Sequence, residues 1–152
     1  MTRRQKISSL LLTYLQAISQ TNGYLTNLGS KVYHWRTQIT PNENDLIANL
    51  QDIANQHERG HVESLTLNVQ LTCRNNTNYT TITNMIQDVH KAFIDNEDNL
   101  GDAIDAQVRF IPLSEEIEIS LENNDEYAEA VVEMVLEHRF TEKWDLDETV
   151  YT

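Results

Sequence analysis

The run most suggestive of chemistry is His57-Glu58-Arg59-Gly60-His61, an H-E-x-x-H spacing. On a helix, histidines four residues apart share one face and both reach a zinc ion, while the glutamate between them serves as general base. That pattern would make a zinc-dependent hydrolase. Its surroundings argue for another setting. Gly60 is a poor occupant of a rigid ligand helix. From Val62 onward the chain alternates as a strand does, with Val62, Ser64, Thr66, Asn68 and Gln70 against Glu63, Leu65, Leu67, Val69 and Leu71. A catalytic zinc also needs a third ligand, and none of His34, His90 or His138 stands at a spacing that singles it out. The motif therefore reads as the turn of a β-hairpin formed by 46–57 and 61–73.

Other candidates are weaker. In Asp95-Asn-Glu-Asp-Asn-Leu-Gly-Asp102, setting Gly101 at the sixth position of a calcium loop puts Asn96 first, Asp98 third, Leu100 fifth and Gln107 last. The fifth and twelfth ligands are then wrong, so an EF-hand is excluded and the tract reads as a solvated loop. Cys73, the only cysteine, ends a strand without an activating neighbour and reads as a small buried hydrophobe. The four glycines are too scattered to cradle phosphate. Three aromatics remain as candidate interface residues: Trp35, and Trp144 and Tyr151 in an acidic tail with little core to join. No catalytic residue, metal or other cofactor is assigned.

The elements that would hold these residues follow from periodicity. Residues 2–20 form an amphipathic helix with Ile7, Leu10, Leu11, Tyr14, Leu15 and Ile18 on one stripe, capped by Thr2 and ended by Asn22-Gly23. Lys31–Arg36 reads as a strand and Pro41–Asn44 as a loop. A second helix covers about 78–94, with Ile82, Met85, Ile86, Val89 and Phe93 buried, and the polar tract 95–105 follows. Val108–Ile111 and Ile117–Leu121 read as short strands interrupted by Pro112. In 127–140 composition favours helix and alternation favours strand; 141–152 is an acidic, irregular tail. Without regular βαβ alternation, the expected fold is α+β: a mainly antiparallel sheet with two helices packed on one face, in one domain over 1–140.

Charge narrows the function. The 152 residues carry a formal charge of −13, unevenly placed: 1–36 hold five bases and no acid, whereas 95–152 hold 18 acids against three bases. Net acidity argues against gripping nucleic acid. No apolar run approaches the roughly 20 residues that span a bilayer. Arg3, Arg4 and Lys6 imitate the start of a signal peptide, but Ser8, Ser9, Thr13 and Gln16 break the apolar stretch behind them. A soluble protein of a reducing compartment is expected.

The order of segments resembles the tail terminator, or tail-completion, proteins of long-tailed bacteriophages. The likeness covers roughly residues 5–140. It rests on the N-terminal amphipathic helix, Asn22-Gly23-Tyr24, Gly29-x-x-Val32-Tyr33, the Pro41 loop, the hairpin closing on His61, Leu65-x-Leu67-x-Val69, and Met85-Ile-Gln-Asp88-Val89 running to Asp95. It implies that 127–140 is a strand. The chain departs from the pattern in a more polar 46–52 and an unusually acidic ending. The resemblance implies a non-enzymatic role in the virion tail or neck, assembled in the host cytoplasm. Such proteins form a ring, commonly a hexamer, that caps the tail tube, ends its polymerisation and docks the head connector. DNA passes through the lumen without specific binding. Acids of 95–148 would then line or rim the channel, and the basic N-terminal third would face a neighbouring subunit or ring. The alternatives are another neck or minor tail protein, the zinc hydrolase on His57, Glu58 and His61, and an acidic adaptor that mimics DNA.

Overall fold

The computed structural model describes residues 1–58, 61–122 and 125–140. Thr2 opens the first helix, α1 (Arg3–Gln16), with a capping box: its hydroxyl accepts the Gln5 N–H, and its own N–H donates to the Gln5 side chain at 2.8 Å. The helix stops short of residue 20 because Ser19 caps a 3₁₀ turn, Gln20–Asn22, which Gly23 closes at φ 90°. At the next turn, Leu28–Ser30, a Cβ on Gly29 would lie 2.8 Å from the Ile18 carbonyl oxygen, so only glycine permits this close approach to the end of α1.

Strand β1 is Val32–His34, shorter than the 31–36 expected, because the chain turns out of the sheet at Trp35 with φ 57°. It pairs in parallel with β2 (Leu46–Glu58), which forms the expected antiparallel hairpin with β3 (Val62–Cys73). A bulge between Asp52 and Ala54 interrupts the hairpin's register. Helix α2 (Asn78–Ile94) follows as read from its stripe.

The tract expected to be a solvated loop instead forms a third helix, α3 (Glu97–Ile104), because Leu100 and Ile104 stand one turn apart and both enter the core. Strand β4 (Ala106–Glu122) is continuous where two pieces were expected. It lies at the sheet edge, where a missing N–H is tolerated, and the register shift between Pro112 and Ser114 leaves Leu113 as the extra residue of a bulge. Strand β5 (Asp125–Phe140) settles the ambiguity of 127–140: Cys73 to Val62 pair with Ala128 to Arg139, so alternation prevails over helix propensity.

The sheet order is β1-β2-β3-β5-β4, and only the β1–β2 pair is parallel, which makes the fold α+β. Pairing places Leu50, Leu65 to Leu71 at alternate positions, and Ala128 to Leu136 likewise, on one sheet face. Ile7, Leu11 and Leu15 of α1 and Ile82, Met85, Val89 and Phe93 of α2 complete the same buried cluster. Asp88, inside α2, is buried because it accepts the Leu25 and Thr26 N–H groups and the Thr26 hydroxyl, tying the 24–28 loop to the helix.

Candidate functional site

Chemically rich side chains gather at the N-terminal end of α1. Asp52, almost buried beside the β2 bulge, accepts from Arg4 Nε at 2.7 Å and from Trp35 Nε1 at 2.9 Å, and lies 2.8 Å from His34 Nε2. Arg4 also donates to the Asp52 carbonyl. Burial pushes the Asp52 pKa up, but the bonds from Arg4, His34 and Trp35 outweigh it and leave the carboxyl below its ordinary range. The indole thus spans two environments: its N–H is fixed on a buried carboxylate while about half of the residue stays exposed. Holding a tryptophan at φ 57° costs conformational energy that the Asp52 bond helps to offset. Arg4, His34, Trp35 and Asp52 line an open groove of about 690 Å³ together with Met1, Ser8 and Leu12. This is the one predicted interface residue that the structure describes. Trp144 and Tyr151 lie outside the described residues.

The described ends of the His57–His61 motif flank the β2–β3 hairpin that the alternation predicts: His57 and Glu58 end β2, and His61 precedes β3 at φ 65°. The two histidines therefore share no helical face. His57 Nδ1 instead meets Glu63 Oε1 at 2.8 Å across the hairpin, and the other Glu63 oxygen lies 3.5 Å from His138 Nε2. Register explains this trio, since Glu63 pairs with His57 on one side and His138 on the other. No spacing in sequence signals it. Burial foremost, with Arg3 and His57 adding, lowers the His138 pKa to about 4 despite the nearby Glu63, so the imidazole is neutral near pH 7. Among the described residues no three His, Cys, Asp or Glu side chains are placed to hold a metal ion. Burial likewise pushes the Cys73 thiol up to about 11, the reverse of an activated nucleophile.

The far side of the sheet is acidic. By pairing, Glu116 and Glu118 of β4 and Glu129, Glu133 and Glu137 of β5 point to the face opposite the helices. Their partners on β3 are uncharged: Thr72 faces Glu129, Asn68 faces Glu133 and Ser64 faces Glu137. Glu118 stands directly opposite Glu129, a like-charge pair that costs stability. Sequence showed the acids but not this alignment. Among the described residues no helix is long and apolar enough to cross a membrane. No protein-family model matches the chain, and no curated protein matches it in sequence.

Proposed function

We propose that the chain is a structural subunit of a ring at a phage head–tail junction, most specifically the tail terminator that caps the tube and docks the head connector. The observation that carries this reading is the acidic sheet face. Glu116, Glu118, Glu129, Glu133 and Glu137 share it, Glu118 opposes Glu129 with no base on the adjoining β3 positions, and Arg109 is paired with Glu137 at one end of the face. A face kept acidic at a cost in stability suits a surface past which DNA slides, because each lysine or arginine there would add phosphate affinity. In the ring Glu129 and Glu133 of this face look into the lumen and repel the phosphates, Glu116 and Glu118 stand at its edge toward the next subunit, and the subunit works by shape and assembly without catalysis or cofactor.

Negative-stain images of the purified chain, alone and mixed with tail tubes of the virus that encodes it, test the reading. Rings of about six subunits seated at one tube end are expected. A chain that stays monomeric with tubes present overturns the proposal. Stoichiometric zinc that is lost on His57→Ala would instead favour the hydrolase.

A further inference from the structure

Apart from Leu25, Tyr79 and Ile94, the exposed large apolar side chains among the described residues fall into two groups. Met1, Trp35 and Ile53 cluster at the β1–β2 edge around Asp52, whereas Leu113, Ile117, Ile119, Leu121 and Val131 cluster on β4 and the adjacent β5. The sheet order puts these groups on opposite edges, four strand spacings apart, which is about 20 Å. Monomeric proteins rarely keep two such patches without partners.

The two edges match face for face. On the helix side, the β1 edge offers Trp35, pinned to Asp52. On the same side of the β4 edge, Ile117 and Ile119 pair with the core-facing Ala130 and Ala128 yet remain about 40% exposed, and Leu121 is 72% exposed. On the opposite face the signs complement each other. Exposed Arg36 lies over the Tyr33 ring at 4.3 Å, and exposed Glu116 and Glu118 face that side of β4. Residues 106–140 hold nine acids against Arg109 and Arg139, so the β4 side carries acid to spare.

We infer that the β1 edge of one copy seats against the β4 edge of a second copy, sheet faces aligned. Trp35 then covers the Ile117–Ile119–Leu121 strip, and Arg36 meets Glu116 and Glu118. This contact rests on the ring reading and supplies its subunit interface. Two different patches at opposite edges make a head-to-tail contact, which repeats from copy to copy and closes into a ring when the rotation allows. Pro112, the Leu113 bulge and the three-residue β1 prevent a long shared ladder, so side chains carry the contact.

Paired charge reversal tests it. Arg36→Glu and the double variant Glu116→Lys with Glu118→Lys, each checked for folding by circular dichroism, should each weaken assembly tenfold or more by sedimentation velocity. Mixing the two in equal amounts should restore rings, because every contact in an alternating ring again joins opposite charges. Leu121→Asp, at an exposed position, should break the rings and gain nothing from mixing. Wild-type rings with both charge variants still assembling normally, or a mixture no better than its components, overturn this contact and leave the ring reading standing. A dimer that survives Arg36→Glu but not Leu121→Asp overturns it in favour of β4 meeting β4. A wild-type chain that stays monomeric even with tubes present removes the ring reading and this contact together.

Discussion

The polar groups around the start of α1 and those of the distal β4–β5 hairpin are organised in opposite ways. Near α1, acid and base are interleaved: Asp52 is held by Arg4, His34 and Trp35, and Glu63 lies between His57 and His138. On the hairpin, five glutamates share one face, two of them directly oppose each other, and only Glu137 has a base, Arg109, opposite it. The first region uses its charges to hold its own backbone and loops in place. The second keeps its charge for its surroundings, at a cost to its own stability. Substitutions should therefore destabilise the first region and stabilise the second.

The largest effect expected belongs to His138. Its pKa falls from 6.5 in the unfolded chain to about 4 in the fold. The unfolded state then binds more protons across that window, so this contribution is complete above pH 6.5 and is lost as pH falls toward 4, roughly 3 kcal/mol in all. Urea titrations at fixed protein concentration from pH 7.5 to 4.0 should show the decline, and His138→Gln should flatten it. The Asp52 carboxyl, lowered by its three donors, adds a separate loss that begins only as pH passes below the ordinary carboxylate pKa.

Asp52→Ala comes next. It leaves the Arg4, His34 and Trp35 donors without their acceptor, and since Arg4 and His34 are exposed enough to find water, about 2 kcal/mol is expected. Trp35→Phe removes one neutral donor and should cost about 1 kcal/mol, read from the same urea midpoints. If Asp52→Ala cost no more than Trp35→Phe, the carboxylate would not be the centre of the network.

Legibility in sequence followed the range of the interactions. The stripe of α2, the alternation of β3 and the glycines at 23 and 29 are local patterns, and the fold reproduces them. Helix α3 escaped because only Leu100 and Ile104 mark it within eight polar-rich residues, although their one-turn spacing after Asn96 was a readable signal. Continuous β4 escaped because proline breaks a central strand but not an edge strand, and edge position is a property of the whole sheet. The Asp52 and Glu63 clusters were out of reach for the same reason: Arg4 and Asp52 lie 48 residues apart, and Glu63 meets His138 only through the β3–β5 register. Conversely, H-E-x-x-H was the loudest string in the sequence, and register turned it into a hairpin end.

The smallest effect has the opposite sign. Glu118 and Glu129 face each other across β4 and β5, so Glu118→Gln should raise the urea midpoint by about 0.5 kcal/mol. Both side chains are exposed, and added salt screens exposed charges, so the gain should fade in 1 M salt, where the Debye length shrinks to about 3 Å. A gain that persists unchanged in salt would point to packing or propensity as its origin. A gain that disappears identifies the stored repulsion, and with it a hairpin whose acids trade stability of the single chain for the field they present outward.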